Sequence, residues 1–539
     1  MIPATLSANA LQVLKARYLR RQSDDSFESF EDLIRRVARA IARDAAREER
    51  YFERMRALEF LPNSPTLFNA GTEGALLAAC FVLPVDDALD SIFDSLKLMA
   101  RIQHLGGGTG FSFSRLRPRG DAVAAMDQTA AGPLGFLEIF DVATQNIKQG
   151  GRRRGANMGI LRVDHPDIEA FIDCKRDGTR FENFNLSVGI TDEFMECVVQ
   201  KRPFALKHPK TGHKACEVLA TDLFEQIAHA AWESGDPGVV FLDAINRAHP
   251  VTDQGLIEAT NPCGEVPLLP NEACNLGSLN LARFLTKEDQ GIDWDRLKAA
   301  VADGVRFLDD TIDAATFPSP DIDRVVKGNR KIGLGVMGFA DTLIRLKIKY
   351  DSDEAVTLAE EIMHSIRVQA DDESLRLGQE KGPYAHWKTS REKKPYRNAT
   401  RVSIAPTGTL SIIAGTTAGI EPLFATTFVR ENILGGQSQT ETMPISKENL
   451  PFVRTALEIA PIWHLKIQAA FQGFVDNAVS KTINLPQEAT AQDVRTIYAE
   501  AWRRGLKGVT VYRYGCKPMQ VLSLAEHATR CGPSGCPTV

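Results

Sequence analysis

The sequence predicts a large α/β protein preceded by a small helical domain. Three observations carry that assignment. Apolar residues recur at helical spacing through the first 60 residues. Short β-rich runs then alternate with longer helical ones from about residue 61 to 513. After Tyr512 the text turns to Gly, Pro, Ser and Cys, which suits a flexible tail. The expected division is therefore 1–60 helical, 61–513 α/β and 514–539 tail. With 539 residues, 43% of them hydrophobic and 25% charged, the chain can bury a sizeable core.

The first element is a helix. In SFESFEDLIRRVARAIARDAAREERYF, Phe30, Leu33, Ile34, Val37 and Ile41 form one apolar stripe, and Ser29 with Asp32 three later supplies a start signal. ACFVLPV, MGILRV, NFNLSVGI and VTVYR are the β-rich runs. HPKTGHKAC holds His208, His213 and Cys216, a set that could bind zinc. PKTG is nevertheless a turn sequence between two β-like runs, so a β-hairpin with exposed histidines is expected.

Bulk properties exclude some functions. A formal charge of −5 leaves no basic footprint for polymeric nucleic acid. No apolar run approaches the roughly 18 residues of a membrane span, and the start lacks a secretory pattern, so a cytoplasmic location is expected. Nine cysteines in a reducing compartment are not a structural disulfide framework. Cys174, Cys197 and Cys216 lie in ordinary periodic segments; Cys80, Cys263, Cys274, Cys516, Cys531 and Cys536 sit beside turns or in the tail.

Several glycine motifs invite a nucleotide. RKIGLGVMGFADTL sets Gly333, Gly335 and Gly338 in the order G-x-G-x-x-G, with Asp351 beyond. The lead-in VVKGNRKI is too polar for a buried parallel strand, so a glycine-rich turn entering a helix is expected, with an NAD-dependent dehydrogenase as the remote alternative. HLGGGTGFSF (104–113) and KQGGRRRGANMG (148–159) lack the Gly-Lys-Ser/Thr of a P-loop. They are either flexible connections or places where backbone nears a phosphorylated ligand, with Arg152, Arg153 and Arg154 offering charge. APTGTLSIIAG (405–415) suits a phosphate cradle or an ordinary helix cap.

The densest chemistry is NPCGEVPLLPNEAC, 261–274. If residues 261–265 are extended, Asn261, Cys263 and Glu265 share one face at steps of roughly 7 Å. A carboxylate there can take a proton from a hydroxyl, and an amide can orient a neighbouring one. The thiol has no histidine nearby in sequence, and an adjacent glutamate raises its pKa. Such a thiol suits loss of a hydrogen atom better than ionic attack, and it is expected in a secluded pocket.

Read in order, LPNSPTLFNAGT, AACFVLPVDDALDSI, the glycine loops, NPCGEVPLLPNEACNLGSLNL, APTGTLSIIAGTTAGIEP and GVTVYR make nearly the whole chain resemble the catalytic chain of ribonucleotide reductase. The resemblance implies a ten-stranded α/β barrel with Cys263 on a central finger loop. It implies that Cys263, as a thiyl radical, takes the 3′ hydrogen of a ribonucleotide. Glu265 would act as base on the 3′ hydroxyl, and Asn261 would hold the substrate hydroxyls. Cys80 and Cys274 would form the dithiol that gives two electrons. Cys531 and Cys536 would be the shuttle that restores it, recharged by a thioredoxin-like partner. Ser64, Thr66, Ala79 and Cys80 match substrate-binding positions, as do Pro406, Thr407, Gly408, Thr409 and Ser411, the second group receiving phosphates.

Asp87, Leu89, Arg117, Lys148, Gln149, Arg152 and Arg153 resemble a site for a deoxynucleotide or ATP effector carried with Mg. That site is expected at a homodimer interface, where occupancy changes which base is accepted. Members that take their radical from a second subunit carry adjacent tyrosines near the end of the barrel. In VYRYGC, Arg513 separates Tyr512 from Tyr514, the pattern of adenosylcobalamin-dependent members, so adenosylcobalamin is the implied cofactor and a two-subunit enzyme the alternative. Tyr514, Gly515 and Cys516 stand where that group has Asp-Gly-Ser, which gives Cys516 a possible place in the disulfide route. The front of the sequence shows no ATP-binding cone, so overall control by ATP and dATP is not expected.

Overall fold

The computed structural model describes residues 6–122, 129–147, 155–176, 178, 180–430, 439–442, 445–517 and 522–524. Three helices open the chain: Ala8–Arg17, Phe30–Ile41 and Ala45–Arg56. In the second, Leu33, Ile34, Val37 and Ile41 of the expected stripe are buried, and Ser29 and Asp32 form a reciprocal capping box. The third docks on the long helix Trp294–Ala314. Tyr51 donates its hydroxyl to Asp310 at 2.8 Å and meets Phe307 edge-on, and Arg54 bonds Asp303 at 3.0 Å.

Two parallel half-barrels follow. Strands β1 (Cys80–Leu83), β2 (Gly108–Ser112), β3 (Asn157–Arg162), β4 (Phe184–Ile190) and β5 (Gly238–Phe241) pair in that order. The second half begins with β6 (Glu272–Asn280) beside β7 (Ile332–Met337). An extended segment, 400–404, joins β7 through Leu334–Val402 and then meets Val479 through Ile404. The chain from Val479 runs into β8 (Thr482–Leu485), which pairs in parallel with β9 (Gly508–Arg513). Antiparallel seams between β6 and β1, and between β9 and β5, close the circle. Nine strands and the bridging segment make the ten staves of the expected barrel. The four β-rich runs supply β1, β3, β4 and β9. All nine residues of β6 are buried, as befits a strand covered on both faces.

Between β5 and β6 the chain enters the barrel. Ala259–Thr260 pairs with Pro267–Leu268, leaving residues 261–266 as the tip of a finger. The staves thin to admit it: a Cβ on Gly110 would lie 1.7 Å from the Thr260 carbonyl oxygen, and one on Gly108 would meet Pro262 at 2.8 Å. GGGTG is therefore largely strand, and its glycines admit the protein's own finger as well as facing a ligand cleft. The reading of RKIGLGVMGF as a turn is corrected in the same way. Gly333 and Gly335 lie inside fully buried β7, where a Cβ on Gly335 would come 2.1 Å from the Ser403 carbonyl oxygen. Only Gly338, at φ +80°, turns the chain into the helix Phe339–Arg345. The glycine turn that a dinucleotide would need does not form at Gly333 and Gly335, which removes the basis for a dehydrogenase.

The hairpin around PKTG is present, pairing Pro203–Lys207 with Lys214–Leu219. His213 and Cys216 are exposed, whereas His208 is half-buried against Asp121 at 3.1 Å. Among the described residues, no helix is long and apolar enough to cross a membrane.

His249 lines a small cavity with Pro267, at the base of the finger, and with Lys331. Burial, reinforced by the Lys331 charge, pulls its pKa down to about 3. The unfolded chain binds a proton near pH 6.5 that the folded chain refuses until about pH 3. Stability is thus fully present above the unfolded value and is lost as pH falls between the two. For this one group the loss is at most roughly 1.4 kcal/mol per pH unit. Urea denaturation across that window should show a shallower pH slope for His249→Gln than for the parent; equal slopes would count against this account.

Candidate active site

A cleft with about 830 Å³ of empty space opens at the end of the barrel where the finger tip emerges. Ala79, Cys80 and Gly108, at the starts of β1 and β2, form one wall. The finger contributes Asn261, Cys263 and Glu265, and the loop after segment 400–404 contributes Pro406, Thr407, Gly408 and Thr409. Asn63 and Ser64, at the start of the helix Ser64–Asn69, complete the lining together with Ser278.

The finger tip is a tight turn, which corrects the extended reading of 261–265. Gly264 N–H donates to the Asn261 carbonyl, Gly264 adopts φ +81°, and the Asn261 side chain accepts from Val266 N–H at 2.9 Å. Pro262 fits the second position of such a turn and Gly264 the left-handed one. All three side chains still line the cleft, and the turn brings Asn261 and Glu265 together at Cys80. Asn261 Nδ2 donates to Cys80 Sγ at 3.1 Å, and that thiol lies 3.9 Å from Glu265 Oε1. Asn261 and Glu265 are almost fully buried, and the Glu265 carbonyl accepts from Ser403 Oγ and Ala478 N–H, each at 2.8 Å.

Cys263 departs from expectation. It lines the cleft but is exposed, on its open side, rather than secluded. The cause is local: residue 263 occupies the apex of the turn, and a Cβ on neighbouring Gly264 would touch nothing within 4 Å.

Cys80 and Cys274 are direct partners across the antiparallel β1–β6 seam, and both are buried free thiols. Cross-strand neighbours hold their Cβ atoms about 4.5–5.5 Å apart, close to the roughly 4 Å of a disulfide, so a small shift suffices to join them. Burial pushes both thiols well above their ordinary pKa. Glu265 and Cys274 add to the effect at Cys80, and Lys331 opposes it at Cys274. Lys331 is itself buried against Glu272, two residues before Cys274, at 2.7 Å. Both sulfurs therefore rest as S–H.

Two substrate-binding expectations are corrected. Thr66 is fully buried and donates its hydroxyl to the Leu77 carbonyl, so it shapes the wall without lining it. Ser411 is buried and donates to the Gly408 carbonyl. Ser64, Ala79, Cys80, Pro406, Thr407, Gly408 and Thr409 do line the cleft. Sequence reading missed Asn63 and Ser278, which stood inside quoted motifs. It also missed Arg17 and Tyr18 of the helical domain, which bond residues that line the cleft. Tyr18 Oη lies 2.7 Å from Ser64 Oγ, and Arg17 donates to Thr409 Oγ1 at 3.3 Å. An isolated Arg-Tyr at the end of a short helix carries no signal of such a contact.

Asp87 and Arg117 form an ion pair at 2.8 Å, and Arg117 N–H also faces Asp87. Leu89 and Phe93 are exposed on the helix Leu89–His104, as are Ile139 and Val142 on the adjoining helix Gly132–Asn146. Lys148, Gln149, Arg152, Arg153, Cys531 and Cys536 lie outside the described residues. Near the end of β9, Arg513 stacks on Trp232 at 4.4 Å and donates to its carbonyl, holding Tyr512 and Tyr514 apart.

The cleft suits an external radical source. At the finger tip Cys263 is exposed and Gly264 half-buried, whereas Pro262 is buried against Gly108, and among the described residues nothing lies within 4 Å of a Cβ placed on Gly264. Adenosylcobalamin would meet the finger at Cys263 and Gly264, the accessible part of its tip.

The fold is a closed barrel of two five-stranded parallel halves, set antiparallel to each other around a cysteine-tipped finger, with a cysteine pair across one seam. Comparison identifies it. The ribonucleotide reductase barrel-domain model matches residues 78–396 and 387–512, and the ribonucleotide reductase all-alpha-domain model matches residues 4–75. A vitamin B12-dependent ribonucleoside-diphosphate reductase of Mycobacterium tuberculosis is 47% identical, over 96% of this chain and 79% of that protein. One of the same description from Thermoplasma acidophilum is 45% identical, over 94% and 70%. A vitamin B12-dependent ribonucleotide reductase of Streptomyces clavuligerus is 30% identical, over 97% and 67%. The chain belongs to the ribonucleotide reductase family.

Proposed function

We propose that the protein is an adenosylcobalamin-dependent reductase that converts ribonucleoside diphosphates to deoxyribonucleoside diphosphates. The observation that carries the reading is the meeting of Cys80 with Asn261 and Glu265 on one side and with Cys274 across the seam. The diphosphate level is supported by the Mycobacterium and Thermoplasma relatives, both ribonucleoside-diphosphate reductases.

Adenosylcobalamin, when bound, supplies an alkyl radical that removes a hydrogen atom from a thiol. Exposed Cys263 is the thiol placed to yield it. The Cys263 sulfur then takes the 3′ hydrogen of the ribose, while Glu265 receives the 3′ hydroxyl proton and Asn261 orients the hydroxyl. Cys80, beside both, donates the proton that lets the 2′ hydroxyl leave as water. Cys80 and Cys274 give two electrons and become a disulfide, and the 3′ hydrogen returns from Cys263. The balance is ribonucleotide plus two thiols to deoxyribonucleotide, water and disulfide. The raised pKa values of Cys80 and Cys274 keep both hydrogens in place until that moment.

Loop 406–409 receives the phosphates, and Cys531 and Cys536 carry electrons from a thioredoxin-like donor in a reducing cytoplasm. Asp87 and Arg117 belong to a deoxynucleotide or ATP effector site with Mg, and the exposed apolar residues on the two adjoining helices pair in a homodimer. Anaerobic assay of the chain with adenosylcobalamin, a dithiol and a nucleoside diphosphate tests the reading. Deoxynucleotide is expected with no added protein. A strict requirement for a second, radical-generating subunit would overturn it.

A further inference from the structure

We propose that Arg17, from the N-terminal helical domain, is the cationic ligand of the substrate diphosphate; this rests on the reading that loop 406–409 receives the phosphates. Among the described residues that line the cleft there is one carboxylate, Glu265, and no lysine or arginine. A nucleoside diphosphate brings several negative charges into that space, and taking them out of water without a partner is costly. Arg17 is the cation that hydrogen-bonds a lining residue of the phosphate loop, through Nη1 to Thr409 Oγ1 at 3.3 Å.

The placement is built rather than incidental. Helix Ala8–Arg17 packs against helix Gly408–Ala414, and Tyr18, next in sequence, is fully buried with its hydroxyl 2.7 Å from Ser64 on the same cleft. Arg17 is thus held one hydroxyl away from the ligand space. Its planar fork matches phosphate oxygens in pairs. The contact to Thr409 is longer than the usual 2.9–3.0 Å of an N–H···O bond, so it yields readily to a charged acceptor. Two cations nearby in sequence make other contacts: Arg20 donates to the Phe68 and Ala70 carbonyls, and Lys15 lies over Phe27.

Steady-state assay of the full chain with adenosylcobalamin and a nucleoside diphosphate tests the assignment. Arg17→Ala should raise KM roughly ten- to a hundredfold, as expected for a lost charge-assisted bond, with kcat nearly unchanged. Arg17→Lys should recover much of the loss, and the affinity gap between diphosphate and unphosphorylated nucleoside should narrow in Arg17→Ala. Arg17→Gln preserves the packing of the stem and replaces Arg17→Ala if that variant fails to fold. An unchanged KM in the arginine variants with a raised KM in Thr409→Val would overturn the proposal and leave the loop reading intact. Unchanged KM in both would overturn the two together. A fall in kcat alone, unrelieved by lysine, would make Arg17 structural and end the proposal.

Discussion

Cys263→Ser forms no deoxynucleotide, with turnover reduced by more than about four orders of magnitude, equivalent to over 5 kcal/mol of barrier. The reason lies in bond strength. A serine O–H holds its hydrogen far more tightly than a cysteine S–H, so no radical can be passed to this position and the 3′ hydrogen stays on the sugar. The substitution is sterically mild at an exposed turn apex, so circular dichroism and nucleotide binding should match the parent. Product formation at even a few per cent of the parental rate would show that another group starts the reaction.

Cys274→Ser separates the radical from the reductant. Cys263 and Glu265 remain, so 3′ hydrogen exchange between substrate and enzyme should continue. Cys80 then has no sulfur opposite it across the seam. Deoxynucleotide should fall by roughly three orders of magnitude or more, even with excess small dithiol. The 3′ isotope readout distinguishes this from misfolding, since a collapsed cleft would lose both signals. Substantial deoxynucleotide from this variant would remove the seam pair from its assigned role.

Much of the fold was legible because its periodicities are local. The stripe on Phe30–Ile41 and its Ser29–Asp32 box formed as read, and the β-rich runs became barrel staves. The errors arose where a remote segment decides the outcome. GLG in β7 looks like a turn in isolation, because nothing local announces that Ser403 will pass 2.1 Å from a hypothetical Cβ. Thr66 and Ser411 lie in motifs that do reach the cleft, yet their hydroxyls bond backbone carbonyls, Ser411 within its own helix and Thr66 to Leu77 beyond its helix. Spacing placed Asn261 and Glu265 together for the wrong geometric reason. A turn with Asn261 as its own brace brings them together where alternation would have spread them. Arg17 was invisible since 392 positions separate it from its partner.

The β1–β6 seam carries one more consequence. Before the reaction, Cys80 and Cys274 face each other across strands joined by hydrogen bonds and packing with no covalent link, at a line where the two half-barrels run in opposite directions. Every product molecule released would leave those halves riveted, and every delivery of fresh electrons would draw the rivet. The fold's own mechanical integrity would then oscillate with catalysis, stiffest when the enzyme is spent and most pliant when it is ready to work.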